Sequence, residues 1–325
     1  MDKTSEIKKT KLIYNPLAGK KRHLNPLQTV VTLEDIKDLL YQYQIPVDYA
    51  PTKYVGHATK LARESVKEGY DTVIVAGGDG TVEEVINGLV GTNIILGILP
   101  IGSVMNDARM LAIPLDIEKA VQLLKIRRVR KIDVGVITKL SGEKIDPFYF
   151  TEQAGIGIDA VMHRYASTFF NKKMYGNIFR IINTFLNFSS DTVDVYLNDS
   201  KIKSSASLVI VSNGPIWGPG LSLTPHAKLN DHKLTVSLYE MSKTEPLQHL
   251  IGLILGKKPQ YRKIKSFKSN KIRIESKIPK MVHADSRIYG ETPVECTIYP
   301  NALSIITGFP KEGQSTFKKR TYLDL

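Results

Sequence analysis

The stretch that decides the fold is Ala76-Gly77-Gly78-Asp79-Gly80-Thr81. It follows an apolar run that predicts a buried strand, and it precedes an amphipathic pattern that predicts a helix. Strands and helices alternate in the same way through residues 1–130, which is typical of a doubly wound α/β sheet. The predicted strands are Lys11–Tyr14, Val47–Ala50, Thr72–Ala76 and Ile94–Leu99, and the predicted helices are 33–43, 57–68, 81–89, 104–112 and 117–124.

The chemistry of this stretch comes from its glycines and its one acid. Three glycines let backbone N–H groups approach an anion without a Cβ in the way. The positive end of the following helix points at the same place. Asp79 would repel a phosphate there unless a divalent cation bridged the two charges. The stretch therefore predicts a Mg-nucleotide site; the alternative is a glycine-rich turn in which Asp79 only caps the helix.

Two further loops follow predicted strands and bear on the same site. The first is Asn15-Pro16-Leu17-Ala18-Gly19-Lys20, which lacks the spacing of a Walker A loop. The second is Pro100-Ile101-Gly102-Ser103. Because the carboxyl ends of parallel strands meet at one edge of a sheet, we expect both loops to lie beside Gly78.

After Arg130 the pattern changes to short alternating runs with turn signals between them. Eight such runs predict an all-β module, a β-sandwich or a similar fold. They are 131–136, 148–151, 193–197, 207–212, 234–239, 271–274, 294–299 and 303–307, and helical patterns at 160–188 and 245–256 interrupt them. We therefore predict a nucleotide domain over 1–130 and an all-β domain over 131–325, to which the resemblance described below assigns the lipid substrate.

Composition narrows the class of protein. Cys296 is the only cysteine, so a disulfide framework and a thiolate metal cluster are excluded, and a reducing cytoplasm fits. No apolar run approaches the roughly 20 residues of a spanning helix, so we expect a soluble or peripheral protein. The net charge of +13 points to anionic partners, and ten Lys/Arg lie in Lys257–Lys280. This segment is interpreted either as a solvated basic face or as a surface for anionic lipid headgroups.

The motifs carry a resemblance to a known family. NPLAGK, GGDGTVEEVINGL and LPIGSVMNDARMLAIP resemble the consecutive motifs of the diacylglycerol kinase catalytic domain, with the bacterial lipid kinases as the nearest type. The likeness continues through 154–160, 212–234 and 290–305, so it covers nearly the whole chain. The resemblance implies a Rossmann-like N-terminal nucleotide domain followed by a β-sandwich C-terminal domain. It also implies transfer of the γ-phosphoryl of ATP to a lipid hydroxyl.

The resemblance assigns roles to individual residues. Asp79 would act on the network of Mg²⁺ and phosphate. The loop at 228–233 matches a structural Mg²⁺ site that uses oxygen ligands, and in it His232 replaces the family's usual Gly. The residues implied for ATP are Asn15, Pro16, Leu17, Ala18, Gly19, Thr52, Gly78, Asp79, Gly80, Thr81, Val82, Glu83, Glu84 and Ser103, and those implied for the metal are Lys228, Asp231 and Lys233.

The chain departs from the family pattern at two places. A family Asp that follows the fourth strand falls on Asn106, with Asp107 one place later. The family's Asp-Gly-Glu, whose Glu is the expected general base, aligns with Asp285-Ser286-Arg287, and a guanidinium cannot accept a proton. Asp285, Asp79 or Glu291 could substitute as the base; alternatively Arg287 grips a phosphate and the protein binds without catalysis.

These observations lead to one main prediction and two rivals. The main prediction is a Mg²⁺- and ATP-dependent lipid kinase of phospholipid metabolism, cytoplasmic and peripherally attached to an anionic membrane. The rivals are a nucleotide- or lipid-binding regulator with impaired catalysis, and a NAD kinase, which also uses a GGDGT turn. We expect no nucleic-acid partner, because no recognised motif accompanies the basic segment. An edge strand of the sandwich could pair two copies into a homodimer.

Overall fold

The structure, a computed structural model, describes most of the chain and divides it into two compact units. It describes residues 9–18, 31–102, 104–142, 146–158, 160, 192–198, 200–206, 208–216, 224–240, 245 and 264–309. The first unit contains Met1–Val134, Gly214–His232 and Tyr299–Leu325, and the second contains Gly135–Asn213 and Lys233–Ile298. The units are therefore discontinuous in sequence, whereas the sequence prediction drew a single boundary after residue 130.

The first unit alternates strands and helices as predicted. Its elements are β1 (Thr10–Tyr14), α1 (Leu33–Gln42), β2 (Asp48–Pro51), α2 (His57–Lys67), β3 (Thr72–Gly77), α3 (Asp79–Leu89), β4 (Ile95–Pro100), α4 (Asn106–Met110) and α5 (Ile117–Ile126). Local signals fix several ends: Thr32 and Asp35 form a capping box at α1, and Asp116 accepts a hydrogen bond from the N–H of Lys119 at α5.

The strands of the first unit form a parallel sheet in the order β2-β1-β3-β4. Leu12, Val75 and Leu96 are 0% exposed, which is typical of strands covered on both faces. Gly88 lets α3 pack closely on α2, because a Cβ there would stand 2.5 Å from that of Ala62. All four strands end at the same edge, so the loops that follow them are brought together.

The second unit is built from antiparallel strands. The strands that lie wholly within it are β6 (Phe148–Phe150), β7 (Gln153–Gly157), β8 (Val193–Leu197), β9 (Ser200–Ser204), β10 (Leu208–Ser212), β11 (Leu234–Tyr239), β12 (Ile264–Ser269), β13 (Lys271–Ser276), β14 (Met281–Ala284) and β15 (Arg287–Glu291). Two long strands, β5 (Val129–Lys139) and β16 (Val294–Ile306), have one part in each unit.

Two antiparallel layers in the second unit enclose one apolar core. One layer has the order β12-β11-β10-β7-β14-β15, and in the other β13 pairs with β8 and with the first part of β16. Val195 and Ile274 from one layer share a buried cluster with Val211 and Val236 from the other. The fold class is thus the predicted one, a Rossmann-like nucleotide domain and a β-sandwich.

The sequence prediction was wrong about several strands. The runs 294–299 and 303–307 are one strand, β16, whose Asn301 adopts a φ of 51° and bends the chain without a loop. Strands β7, β9, β12, β14 and β15 were not predicted. The exposed ones, such as β9 with its sequence SKIKS, carry lysines that blur the alternation of apolar residues. The two helical segments predicted to interrupt the strands after Arg130, 160–188 and 245–256, fall almost entirely outside the described residues.

Candidate active site

Three loops of the first unit meet at the carboxyl edge of its parallel sheet. The N–H of Asn15 donates to the carbonyl of Ala76 at 3.0 Å, and the N–H of Ile101 donates to the carbonyl of Gly77 at 3.0 Å. The side-chain amide of Asn15 also donates to Oγ1 of Thr81 at 3.3 Å. The predicted convergence of the loops after β1, β3 and β4 is confirmed.

Glycine is needed where the loops touch. A Cβ on Gly102 would lie 2.8 Å from the Cα of Gly78, and one on Gly77 would lie 2.7 Å from the Cβ of Thr81. Gly78 precedes α3 in an extended conformation, and the helix start has no side-chain cap. The backbones of the loops after β3 and β4 therefore come close together here, and the positive end of the α3 dipole is left for an anion.

Asp79 is the charged group at this edge. Its Oδ2 accepts a hydrogen bond from the N–H of Met105 at 2.8 Å, whereas its Oδ1 is buried with no hydrogen-bond partner. Burial raises the pKa of Asp79, and the backbone N–H groups of Met105 and Asn106 act against that rise. A buried carboxylate oxygen without a donor is suited to a cation.

Asp107 supplies a second carboxylate. It is 3% exposed, and an oxygen of its side chain lies within 4.8 Å of one of Asp79. Met105, with a φ of 56°, turns the chain so that α4 starts beside Asp79. Mg²⁺ is usually held by one or two carboxylates together with the phosphates of a nucleotide. The unpartnered Oδ1 of Asp79 and the nearby Asp107 therefore fit this ion.

The other residues predicted to bind ATP differ in how exposed they are and in what they contact. Pro16 and Leu17 are exposed, Ala18 and Thr52 are half-buried, and Val82 and Glu83 are buried in the helix interior. Glu84 caps α2, since its carboxylate accepts from the N–H of Gly56 at 2.7 Å and of Ala58 at 3.1 Å. Gly19 and Ser103 lie outside the described residues. The ATP assignments stay predictions.

The loop predicted to hold a structural Mg²⁺ has an unpredicted partner, Asp133 on β5. Asp133 is 0% exposed and accepts hydrogen bonds from the N–H of His232 at 2.7 Å and of Asn301 at 2.8 Å. Nδ1 of His232 lies 2.9 Å from the same carboxylate. In the sequence, Asp133 could have been noticed as an acid between two apolar residues, Ile132 and Val134.

The ligand set of that loop remains a prediction. Lys228 and Asp231 belong to the first unit together with His232, and Lys233 opens the next segment of the second unit. His232, at a φ of 59°, adopts the conformation that its family's Gly would adopt freely. His232 thus holds a left-handed backbone conformation at the position where the resemblance implies Gly.

The Asp285-Ser286-Arg287 segment lies at the turn between β14 and β15. The Asp285 carboxylate accepts hydrogen bonds from the N–H groups of Thr151, Glu152 and Gln153 at 2.7, 3.0 and 3.0 Å. Its two oxygens are thus occupied in holding one turn of the second unit. The guanidinium carbon of Arg287 lies 4.9 Å from the ring centroid of Phe148.

The fold and this edge define a class of protein, in which a parallel α/β nucleotide domain is combined with a β-sandwich. Residues 9–137 match the family model described as "Diacylglycerol kinase catalytic domain", and residues 153–307 match the one described as "YegS C-terminal NAD kinase beta sandwich-like domain". The chain is therefore similar to diacylglycerol kinases over its first part and to the YegS C-terminal domain over its second.

Relatives and a solved structure show the same similarity. A diacylglycerol kinase of Staphylococcus saprophyticus is 28% identical over 293 residues, which are 88% of this chain and 91% of the relative. One from Staphylococcus aureus is 29% identical over 294 residues, 88% of each chain. The crystal structure of a diacylglycerol kinase from Bacillus anthracis, 24% identical, shares the fold with a TM-score of 0.68, covering 92% of this chain and 97% of that one. The names of the relatives support a kinase.

In the part of the chain that the structure describes, no helix is both long enough and apolar enough to cross a membrane.

Proposed function

We propose that this protein is an ATP-dependent lipid kinase that transfers the γ-phosphoryl group of Mg-ATP to a hydroxyl of diacylglycerol or a related lipid. The observation that carries the proposal is a pair of carboxylates beside a glycine-lined helix start in the first unit: Asp79, whose Oδ1 is buried, and Asp107, which is 3% exposed. Phosphoryl transfer depends mainly on positioning and on neutralising charge, and these groups can do both.

The first unit would bind the nucleotide through its backbone. The N–H groups at the start of α3 and the loop held by Asn15 would receive the phosphates. Asp79 and Asp107 would hold Mg²⁺ against them. When bound, the ion neutralises the charge that develops on the transferred phosphoryl group. The hydrogen bond from the N–H of Met105 would hold the Asp79 carboxylate in position.

The second unit would receive the lipid at a membrane surface. Its described basic residues are only partly free to meet anionic headgroups, because Lys265 pairs with Glu240 at 2.9 Å and Lys271 pairs with Glu295 at 3.1 Å. Exposed Lys277 extends the positive charge along the same segment. Peripheral attachment is therefore part of the proposal, with roughly 1 kcal/mol per basic residue near the surface.

The test is a phosphoryl-transfer assay on the full chain. Labelled ATP and Mg²⁺ are incubated with mixed micelles that contain diacylglycerol, ceramide or a sphingoid base, and NAD is offered in a separate reaction. Labelled lipid supports the proposal, and labelled NADP supports the NAD kinase instead. Asp79→Ala should lower transfer by about 10³-fold, whereas Asp38→Ala, at an exposed carboxylate on α1, should not. Unchanged turnover in Asp79→Ala would refute the site.

A second candidate is a regulator that binds nucleotide or lipid without transferring a phosphoryl group. The specific observation in its favour is Arg287, a cation where the family has its general base. If the protein is such a regulator, it should bind Mg-ATP without forming labelled product. The Arg287→Glu variant should then gain transfer activity, because that change restores a carboxylate.

A further inference from the structure

The loop that follows β2 lies at the same edge of the first unit as the glycine turn. The N–H of Thr52 donates to the carbonyl of Tyr14 at 2.8 Å, which ties this loop to the end of β1, beside the Asn15 loop. Strand β2 is two places from β3 in the order β2-β1-β3. Because neighbouring strands lie about 4.8 Å apart, the end of β2 stands about 10 Å from the end of β3 and the phosphate site.

The far end of this loop is held against α3 by Glu84. The Glu84 carboxylate accepts hydrogen bonds from the N–H of Gly56 at 2.7 Å and from the N–H of Ala58 at 3.1 Å. Since an α-helix rises about 1.5 Å per residue, Glu84 lies about 7.5 Å along α3 from Asp79. The loop is thus fixed at Thr52 and at Gly56, and its tip is positioned before any ligand arrives.

Two aromatic rings are stacked at the tip of the loop. The ring centroids of Tyr54 and His57 are 4.6 Å apart, and the two planes are inclined by 25°. Nδ1 of His57 accepts a hydrogen bond from the N–H of Lys53 at 3.1 Å, which fixes the orientation of the imidazole. Because His57 covers one face of the Tyr54 ring and Tyr54 is still 59% exposed, the other face of that ring is open to solvent.

The stacked rings contribute little to the core of the first unit. Neither Tyr54 nor His57 is buried, and the turn is already held by the Glu84 carboxylate. An open aromatic face on a fixed loop suits the flat face of a nucleobase, because every base can stack through its π-system. The base of a nucleotide is joined to its phosphates through the ribose. The group that receives the base therefore has to stand apart from the phosphate site, as this loop does.

We propose that the open face of Tyr54, supported by His57, stacks on the base of the bound nucleotide and makes the site selective for purine nucleotides. This inference rests on the nucleotide site of the proposed kinase function. Stacking reads the size of the ring system rather than its hydrogen-bonding groups. A purine covers more of the Tyr54 ring than a pyrimidine does, and inorganic tripolyphosphate has no ring to stack.

The test measures the Kd of the full chain for Mg-ATP and for Mg-tripolyphosphate by calorimetry. Tyr54→Ala should raise the Kd for Mg-ATP by about 10-fold, within the usual effect of removing an aromatic ring from a stacked base. Its Kd for Mg-tripolyphosphate should equal that of the wild type. Tyr54→Phe keeps the ring and should bind both ligands as the wild type does. Tyr41→Ala, at a tyrosine of α1 that is 88% exposed, is the control and should also match the wild type.

The ratio between ligands separates stacking from a merely structural role. Loss of a stacking ring lowers only the selectivity for ATP, whereas a loosened loop would weaken Mg-ATP and Mg-tripolyphosphate by the same factor. Tyr54→Ala should also narrow the difference in Kd between Mg-ATP and Mg-UTP. His57→Ala removes the support of the tyrosine ring and should change both ratios in the same direction by a smaller factor. Equal weakening of ATP and tripolyphosphate in Tyr54→Ala would overturn the inference.

The outcomes distinguish this inference from the function on which it rests. If the wild type phosphorylates lipid and Tyr54→Ala binds Mg-ATP equally well, the role of Tyr54 fails and the kinase stands. If Mg-ATP binds through Tyr54 but no lipid acceptor is labelled, the kinase fails and the inference stands. A wild type that binds no Mg-ATP overturns both.

A membrane contact is the other use of an exposed tyrosine at a loop tip, and it has its own readout. Sedimentation with vesicles of phosphatidylglycerol and phosphatidylcholine is measured for the wild type and for Tyr54→Ala. If Tyr54→Ala keeps its affinity for Mg-ATP but sediments less, the ring contacts lipid and the inference is overturned. Unchanged sedimentation together with weaker binding of Mg-ATP supports the inference.

Discussion

The backbone N–H of Met105 donates a 2.8 Å hydrogen bond to Oδ2 of Asp79. This one contact ties the start of α4 to the start of α3, and it leaves the second oxygen of Asp79 buried without a donor. The same turn at Met105 brings Asp107 to within 4.8 Å of Asp79. The candidate metal site therefore depends on the Asp79 carboxylate, of which one oxygen accepts a hydrogen bond and the other has no hydrogen-bond partner.

Asp79→Asn should separate charge from shape at this site. The amide keeps the size of the side chain and an oxygen for the Met105 N–H, but it removes the negative charge that would hold Mg²⁺. We expect the heat of ATP binding to lose its dependence on magnesium, which calorimetry with and without the ion would measure. Asp38→Asn, at an exposed position of α1, is the control. Equal magnesium dependence in wild type and Asp79→Asn would contradict the site.

The stability of the protein should depend on pH through Asp79. Burial raises its pKa in the folded state, so folding disfavours the ionised form. The native chain holds this proton longer than the unfolded chain, and its stability relative to Asp79→Asn should therefore fall as pH rises above about 4. Urea unfolding of both proteins from about pH 3.5 to 7, without Mg²⁺, measures the difference. If the difference in the free energy of unfolding between the two proteins stayed constant over this range, burial would not disfavour the ionised form of Asp79.

Gly102→Ala should weaken nucleotide binding. Its Cβ would stand 2.8 Å from the Cα of Gly78 and 2.5 Å from the sulfur of Met105, so the loops after β3 and β4 have to separate. We expect at least a 10-fold rise in the Kd for Mg-ATP.

Gly69→Ala is the matched control for that loop variant. Gly69 has a φ of 72° with open space around its Cβ position, so the change should cost about 1 kcal/mol of stability through backbone strain alone. Its Kd for Mg-ATP should equal that of the wild type. If both variants bound ATP equally well, close backbone contact between the loops would not matter for binding.

Asp133→Ala should destabilise the first unit. It would remove the buried acceptor of the N–H groups of His232 and Asn301, at a cost of about 1–3 kcal/mol. His232→Gly is the comparison, since it keeps the backbone donor and suits the φ of 59° at this position. Urea unfolding should show a much smaller loss for His232→Gly. Similar losses would mean that the imidazole, rather than the backbone hydrogen bonds, stabilises this loop.

Much of the candidate site could be predicted because its signals are local. The glycines around Asp79 and the apolar runs beside them specify a strand, a turn and a helix within about twenty residues of chain. The edge at which the loops meet follows from the parallel order of the strands. The capping role of Glu84 could not be predicted, because it depends on α2 packing against α3, where Gly88 meets Ala62.

The sequence by itself determined the alternation of elements, the glycine-lined edge and the place of Asp79, since each depends on neighbours in the chain. Only the tertiary structure decided which carboxylates are buried and which N–H groups reach them. The carboxylate of Asp107 lies within 4.8 Å of that of Asp79. The carboxylate of Asp133 accepts hydrogen bonds from the N–H groups of His232 and Asn301. The carboxylate of Asp285 accepts a hydrogen bond from the N–H of Glu152. The physical reason is that desolvation and hydrogen bonding of a charged group depend on residues far away in sequence, which no local pattern specifies.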